Sequence, residues 1–586
     1  MCGETDGTKL CNETNGAKLC GATNGAKLRV GAMEYDAVVV PSVLTLRSST
    51  IRILCAFVAR GGRVLFQGEC PEYIDAVKVS GEAKKTDAKA AAKATAAAQL
   101  DDLYRAAEKI GADPEALLTA LAPYQALDVR MPDGSRCERL LHMLRQDGDA
   151  FWLFVANGEN PVSPDIDHAP KLRFTIPGLW TLTEYDTLRG AIRPLPAEHV
   201  GGATQFERRW HSHDSLLLKM EKADAVKENE APEDREALKE NQERKENQAR
   251  KHAPLTSPET RFGTVEVKLS EPNMMLLDLA EWSLNGGAWQ AEEEILRIDN
   301  QARDALGIVR RLKEVAQPYT IAKVEAKDRI RLRFTFESEI PVRGAHLALE
   351  DAAVSRIFVN GCEVPVNVDG WFVDHAIETV PLPEIVPGSN MVEVETPIGP
   401  NTDLEAYYLL GDFGVRVQGT EKTLTAPVRR VGFGDMTPQG LPFYTGNLDY
   451  TFEIETNGED FTVRVPAYRG GLVEVLLDGE SMGDIVFSPY TLRVAAPKGV
   501  HALTLRLFGT RMNGFGQLHL KPGEWIYQSP NSWRTAGDRW GYEYYFKEAG
   551  ILKSPEIYAA NNGVHVLQKN GRTRPGDQSA GISDQS

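Results

Sequence analysis

The sequence predicts a mainly β, multidomain protein: a truncated α/β unit, a small β-sandwich, and then two larger sandwiches of one type. Three observations lead to this prediction. The chain has 586 residues, which is more than one hydrophobic core usually serves. Apolar and polar residues alternate with period two through much of residues 329–396 and 448–507, as in strands with one buried face. A strand–helix–strand pattern is clear at residues 35–68.

The composition is that of an ordinary globular protein and argues against several functional classes. Hydrophobic residues make up 42%, charged residues 25%, and the formal net charge is −17. Such an acidic chain is not expected to bind nucleic acid or anionic lipid through a general basic surface. No apolar run is long enough to cross a bilayer, and residues 1–10 lack the apolar core of a secretory signal. We therefore expect a cytoplasmic protein that binds neither nucleic acid nor membrane.

The cysteines point to no cofactor. Seven are too few for a disulfide scaffold, and none has the Cys-x-x-Cys spacing of a structural zinc site. Cys2, Cys11 and Cys20 recur in a nine-residue repeat, ETDGTKLCN, ETNGAKLCG and ATNGAKLRV. Each copy carries one Leu beside a turn dipeptide, so the repeat buries little apolar surface. We predict disorder for residues 1–32, rather than a metal-binding or redox tail, because thiols nine residues apart have no fixed geometry.

The first folded segment is a strand–helix–strand unit within residues 33–80. We predict a strand at Ala37–Val40, ended by Pro41, and a second strand at residues 63–66. Between them, Ser48 or Ser49 is a candidate helix cap, and Gly61-Gly62 is a stop signal. The apolar positions of this helix have helical spacing: Ile51, Leu54, Phe57 and Val58. Such a unit is the building block of a parallel sheet and is too small to fold alone.

The phrases YDAVVVPS and GGRVLF in this unit resemble a glutamine-amidotransferase-like domain. The resemblance is to the non-catalytic version found after the barrel of some β-galactosidases and related glycosidases. The resembling domain has further strands before this unit in sequence. We therefore expect the module to lack its N-terminal strands, and the reading frame to be truncated or rearranged. An active amidotransferase would need a nucleophilic cysteine, for which Cys70 is the candidate. Pro71 removes the backbone amide that would lower the pKa of this thiol, which favours a structural role.

Two inserts and a small β-sandwich come next. Residues 81–136 combine an Ala/Lys-rich insert with a segment, residues 100–124, that has helical periodicity, and residues 221–258 read as a charged linker. Between these, residues 137–220 contain strand patterns and the hairpin signal Asp147-Gly148. The phrases WLFVANGE, YDTLRGAIRPL and HDSLLLK resemble the small sandwich that follows the amidotransferase-like domain in the same glycosidases. His211, His213 and Asp214 raise the hypothesis of a metal site, which we disfavour because a stable site needs further ligands.

The C-terminal part is predicted to be two sandwiches whose strands and turns follow the same sequence pattern. Residues 259–420, with a helix near their start, and residues 421–560 each alternate with period two. The segments VNGCEVP and LDGESMGDI occupy equivalent places, as do PGSNMVEVE and PKGVHALTLRL. Residues 561–586 are predicted to be a disordered tail. The phrases FVNGCEVP, GWFVDHAI and YYLLGDFGV, and then LPFYTGNLDYTFEI and WRTAGDRWGYEYYF, resemble galactose-binding-like jelly rolls, similar to the sugar-binding domain of glycoside hydrolase family 2.

The order of these modules resembles the accessory region of bacterial α-L-rhamnosidase-like and β-galactosidase-like enzymes. In such enzymes a pair of carboxylates usually lies on a (β/α)8 barrel, which takes about 250 residues. The sequence has no such stretch, so we name no catalytic residue. The resemblance implies a non-catalytic portion of a glycoside hydrolase that binds or positions a glycan, or braces a barrel supplied elsewhere. An interaction or scaffold protein that self-associates, and an intact glycosidase with an unrecognised site, stay open as alternatives.

Two clusters combine tryptophan rings with polar side chains, as sugar recognition requires. The ring can stack on the C–H face of a sugar, while polar groups bind its hydroxyls. The alternative is that the tryptophans fill cores or interfaces, where large aromatics are common. The candidate carbohydrate-binding residues are Trp371, Phe372 and Asp374 in the first cluster, and Trp533, Arg534, Asp538 and Trp540 in the second.

Overall fold

The computed structural model of the chain divides into two compact units, Met1–Ala231 and Pro232–Ser586. It describes residues 26–31, 33–79, 88–111, 113–159, 169–188, 190–223, 263–311, 324–523, 533, 536–559 and 564–567. The described part is mainly β, which confirms the predicted fold class. Among the described helices, none has both the length and the apolar character needed to cross a bilayer.

The first unit opens with a three-stranded parallel sheet in the order β3-β5-β8, with α1 and α2 packed together. This confirms the predicted strand–helix–strand. Gly62 is required where α1 returns to β5, because a Cβ there would lie 2.4 Å from the Phe57 ring. The elements are β1 (Leu28–Val30), β2 (Met33–Tyr35), β3 (Ala37–Val40), β4 (Thr45–Leu46), α1 (Ser48–Ala59), β5 (Arg63–Gln67), β6 (Tyr73–Ile74), β7 (Val77–Lys78), α2 (Ala88–Ala106), β8 (Glu108–Ile110), α3 (Pro114–Leu121) and a 3-10 turn (Ala122–Tyr124).

Three local predictions in this region are wrong. Residues 1–32 were predicted to be disordered, but Leu28–Val30 forms β1 and pairs with β2. Neither Ser48 nor Ser49 caps α1; Asp75 accepts a hydrogen bond from the Ser48 backbone N–H at 3.1 Å instead, so a distant residue supplies the cap. The helix predicted over residues 100–124 is broken, because Glu108–Ile110 forms the third parallel strand. Pro114 then starts a new helix, with the Asp113 side chain as its cap.

The second part of this unit is a β-sandwich of two antiparallel sheets. The sheets have the orders β10-β11-β17-β13-β14 and β15-β16-β12-β9, and both contribute to one apolar core. The predicted hairpin is confirmed, with Asp147 paired to Ala150 across the turn. The strands are β9 (Asp128–Arg130), β10 (Leu140–Asp147), β11 (Ala150–Asn157), β12 (Lys171–Pro177), β13 (Trp180–Asp186), β14 (Ala191–Leu195), β15 (Glu198–Val200), β16 (Ala203–Arg209) and β17 (Ser215–Lys222).

The first sandwich of the second unit packs two sheets around a large apolar core. One sheet has the path β21-β20-β22-β28-β24-β25, and the other has the order β19-β29-β23-β27-β26. The elements are β18 (Val265–Leu269), β19 (Asn273–Leu277), β20 (Leu279–Leu284), β21 (Gln290–Glu294), α4 (Ile295–Leu306), β22 (Asp328–Ser338), β23 (His346–Leu349), β24 (Arg356–Val359), β25 (Cys362–Val364), β26 (Gly370–Phe372), β27 (Asp374–Pro381), β28 (Gly388–Ile398), β29 (Tyr407–Gly411), β30 (Gly414–Gln418) and β31 (Glu421–Thr425).

The second sandwich repeats this plan around its own core. Its main sheet has the path β32-β18-β33-β39-β36-β37, so that the order β18-β33-β39-β36-β37 mirrors β20-β22-β28-β24-β25. The elements are β32 (Arg430–Val431), β33 (Leu448–Asn457), β34 (Phe461–Arg464), β35 (Tyr468–Arg469), β36 (Val473–Leu477), β37 (Glu480–Ile485), β38 (Thr491–Val494), β39 (Lys498–Leu507), α5 (Met512–Phe515), β40 (Gly550–Ile551), β41 (Glu556–Ala559) and β42 (Val564–Leu567).

The equivalence of the two sandwiches extends to their turns. Asn360 and Gly361 lie at φ 50° and 81°, and Asp478 and Gly479 at φ 53° and 89°. Two successive left-handed residues are typical of the tight hairpin that joins neighbouring strands. The strand order and these hairpins together support the predicted repetition of one sandwich type.

One strand crosses between the two sandwiches. Strand β18 comes just before the first sandwich in sequence, yet it pairs with β33 of the second, where Val267 lies opposite Tyr450. The hairpin β30–β31 joins the first sandwich through β22. Strand β42, at Val564–Leu567, pairs with β33, so the prediction of a disordered tail over residues 561–586 is wrong for these four residues.

Candidate functional site

A cavity of about 680 Å³ lies in the second unit, where the β19-β29-β23-β27-β26 sheet approaches β18. We call it the Trp371 groove. Its walls bring together residues that are far apart in sequence. They are Val267, Lys268, Leu269, Glu271, Pro272, Asn273, Gly344, His346, Trp371, Phe372, Thr379, Leu410, Gly411, Asp412, Phe413, Val428 and Arg429.

Trp371 supplies the largest exposed apolar surface of the groove. It lies on β26 and remains 53% exposed. The His375 ring contacts it, with the two ring centroids 4.3 Å apart and tilted by 38°. Val373, at φ 65°, reverses the chain between β26 and β27. The indole is thus presented on a short hairpin with a second ring against it.

Phe372 has a different environment from its neighbour. It is 6% exposed and belongs to the apolar core, 6.0 Å from the ring centroids of both Tyr408 and Phe515. It also lines the groove. Asp374 is exposed and is not among the groove residues; its carboxylate accepts the backbone N–H of Ala376 on the same strand at 2.9 Å.

A fixed polar triad borders the groove. Nε2 of His346 lies 3.0 Å from Oδ2 of Asp369, and the Thr379 hydroxyl donates to Oδ1 at 2.8 Å. The hydrogen bond from Thr379, aided by His346, lowers the pKa of Asp369. His346 and Thr379 therefore face the groove with orientations set by an ionised carboxylate.

Two bidentate ion pairs hold charged groups of the groove wall, Asp412 with Arg429, and Glu271 with Arg511 from outside the lining. Arg429 donates to both oxygens of Asp412 at 2.9 and 2.5 Å. Arg511 donates to both oxygens of Glu271 at 2.6 Å. Planar pairs of this kind hold donors and acceptors in fixed directions. The groove thus combines an exposed indole, the triad and charged hydrogen-bonding groups.

The second predicted cluster lies around a smaller cavity of about 100 Å³, lined by both Trp533 and Trp540. The Arg297 guanidinium lies 3.4 Å above the Trp540 ring, and the edge of Tyr542 contacts the same ring. Trp540 is thus largely packed. Asp538 is exposed in a 3-10 turn, and Arg534 lies outside the described residues.

Beneath this cavity is a buried polar network that the sequence did not indicate. Asp278 accepts from the Tyr544 hydroxyl at 2.5 Å, with Lys422 Nζ at 3.4 Å and His519 Nε2 at 3.1 Å. Burial opposes ionisation of Asp278, but Lys422 and His519 prevail and hold its pKa well below the usual range. Burial lowers the pKa of His519, but the hydrogen bond to Asp278 prevails and raises it. No local pattern could reveal the network, because its four members come from distant segments.

The surroundings of the other candidate residues, Cys70 and Asp214, indicate a structural role. Burial, followed by the charges of Asp101 and Glu69, raises the pKa of the Cys70 thiol, the reverse of what a nucleophile needs. Asp214 accepts the His211 backbone N–H at 2.8 Å and closes a turn. Within the described ranges, no group of three or more His, Cys, Asp or Glu side chains is arranged to hold a metal ion.

Several polar residues of the groove were not indicated by the sequence. Glu271, His346, Asp412 and Arg429 have no motif in common with GWFVDH. The sequence offered no signal for them, since they meet Trp371 only through the pairing of β23, β27 and β29 and through the approach of β18.

Comparisons with known proteins give distant structural neighbours. No protein-family model and no curated protein matches the chain. A rhamnosidase from Novosphingobium sp. PP1Y is 12% identical, with a TM-score of 0.41 over 92% of this chain and 35% of that one. An α-L-rhamnosidase of Streptomyces avermitilis, solved with L-rhamnose, is 11% identical, with a TM-score of 0.20 over 75% of this chain and 40% of that one. An α-L-fucosidase of Paenibacillus thiaminolyticus is 10% identical, with a TM-score of 0.20 over 32% and 41%. The chain thus covers well under half the length of these structures, and its structural neighbours include rhamnosidases and other glycoside hydrolases.

Proposed function

We propose that the chain binds a carbohydrate in the Trp371 groove as a non-catalytic, glycan-positioning protein. The observation that carries the proposal is the half-exposed Trp371 indole on the wall of a cavity of about 680 Å³. A cavity of this size is within the range of small-molecule sites, about 300–1,000 Å³. An exposed tryptophan beside fixed polar groups suits a ligand with one apolar C–H face and several hydroxyls, which describes a sugar ring.

The polar groups support this ligand class. The Arg429–Asp412 and Arg511–Glu271 pairs present donors and acceptors side by side. Sugar hydroxyls both donate and accept, so they can bridge such pairs. The pairs are exposed or half-exposed, so a ligand can reach them.

The carboxylates of the groove support a non-catalytic role. Glycoside hydrolysis usually requires one carboxyl that stays protonated as an acid. Here Asp412 and Glu271 are each bound to an arginine through both oxygens. The pKa of Asp369 is lowered by Thr379 and His346, which disfavours its protonated form. These three groups are thus suited to holding a ligand.

The test is binding of the full chain to a panel of mono- and oligosaccharides, followed by calorimetry with the best ligand. Trp371→Ala should weaken binding at least about tenfold, which corresponds to about 1.4 kcal/mol. Trp533→Ala is the matched control, because it removes an exposed tryptophan outside the groove and should leave the affinity unchanged. The proposal is wrong if no saccharide binds, or if the control loses affinity and Trp371→Ala does not.

A further inference from the structure

A row of apolar side chains crosses the outer face of the five-stranded sheet of the first unit. Met143, Phe154 and Leu217 lie side by side on β10, β11 and β17. Tyr185 and Ile192 continue the row on β13 and β14. Met143, Phe154 and Ile192 are between 41% and 63% exposed. All five side chains point away from the sandwich core, because the residues that alternate with them on β11 and β17 are the buried ones.

The sequence of β11 also suggests that this outer face is covered. The strand reads AFWLFVAN and is apolar on both faces. Strands in which both faces are apolar are typical of sheets buried on both sides. Trp152 extends the apolar surface on the outer face, and its ring contacts Tyr185 edge-on at 4.9 Å.

We infer that this face is a dimer interface, on which the five-stranded sheet of a second copy of the chain packs. The area agrees with what a stable dimer needs. The five strands have between five and eight residues, about seven on average. At about 4.8 Å between strands and about 3.4 Å per residue, they give a flat face of about 570 Å². Two such faces approach the roughly 1,200–2,000 Å² buried in specific interfaces.

The arrangement of charge on the face suits a second copy. On one side of the apolar row lie Arg145 and Lys219, in register with Trp152, and Lys219 is ion-paired with Glu221. On the other side, Ala156 lies between Leu141 and Ser215. A two-fold axis along the apolar row places the charged side of each copy over the uncharged side of the other. The apolar residues then meet their own counterparts, and like charges do not face each other.

The test is the mass of the full chain in solution, measured by light scattering and sedimentation. We expect twice the 64.6 kDa of one chain. Phe154→Glu and, separately, Ile192→Glu should each weaken the dimer at least tenfold, because a charge in the row would be buried against its own copy. Val200→Glu is the control: Val200 is 50% exposed on β15 of the other sheet, and its variant should remain dimeric. Thermal unfolding checks that each variant is folded.

Cross-linking tests the same interface without disturbing the fold. Met143→Cys, treated with a short bismaleimide, should give a covalent dimer at a higher yield than the unsubstituted chain, because the axis brings the two Met143 positions together. A monomer at about 50 μM would overturn the inference and indicate that another part of the chain or another protein covers the face. A dimer that survives both row variants, or that Val200→Glu also disrupts, would overturn it too.

Discussion

At the scale of single residues, neighbours in one motif have separate roles. The motif GWFVDH suggested one cluster of sugar-binding side chains, but Trp371 is half-exposed, Phe372 is in the core and Asp374 binds the backbone of its own strand. Alternation along a strand predicts that adjacent side chains point to opposite faces. It does not predict which face is buried, because that depends on the sheet beneath. The sequence therefore identified the motif without separating the roles of its members.

Cys70 allows a prediction at this scale. Burial and the nearby charges of Asp101 and Glu69 raise the pKa of its thiol, so little thiolate is present at neutral pH. We expect alkylation at pH 7.5 to be slower at Cys70 than at Cys362, which is exposed. Mass spectrometry of iodoacetamide-treated protein over time measures both rates in one sample. Faster labelling at Cys70 would contradict the structural role assigned to it.

At the scale of elements, features that depend on local interactions could be predicted, whereas those that depend on contacts between distant segments could not. The hairpins at Asp147-Gly148 and Asn360-Gly361 were predictable, because a local left-handed turn determines them. The helix predicted through Ile110 was wrong, because pairing with β5 favours a strand there. The cap from Asp75 and the network around Asp278 were not predictable, since each depends on contacts between distant segments.

The same network makes the stability of the second unit depend on pH. The hydrogen bond to Asp278 raises the pKa of His519 above its value in the unfolded chain. The protonated His519 therefore stabilises the fold at pH values below about 6.5, and this contribution is lost as the pH rises through the folded-state pKa. Burial raises the pKa of Glu294, which changes stability in the same direction with pH. Burial lowers the pKa of Lys422, which changes stability in the opposite direction.

Urea unfolding at pH 6 and pH 9 tests this dependence. His519→Gln should be less stable than the unsubstituted chain at pH 6, because Asp278 loses a charged partner. The difference in stability between the two proteins should be smaller at pH 9, where the unsubstituted chain has lost the contribution of protonated His519. Equal pH dependence in the two proteins would show that His519 does not contribute.

At the scale of the whole molecule, the net charge determines which macromolecules the chain attracts. At −17, it repels polyanions, and affinity for duplex DNA depends chiefly on cationic contacts to phosphate. We expect no shift of duplex DNA or RNA by the chain at tens of micromolar and physiological salt, measured by fluorescence anisotropy. Saturable binding there would contradict the exclusion of nucleic acid. The composition was enough for this prediction, whereas the Trp371 groove required the structure, since its walls come from segments on both sandwiches.

The path of β18 has a consequence for synthesis. On the ribosome, this strand is complete before any of the first sandwich has been made, yet its partner β33 begins about 180 residues later. At roughly 5–20 residues per second, that interval is on the order of ten seconds or more. During this time Val265, Val267 and Leu269 are without the apolar core against which they pack, and folding of the first sandwich brings the two ends together. A nascent chain stalled before residue 448 would therefore expose an apolar strand to chaperones, and one released after the second sandwich is complete would not.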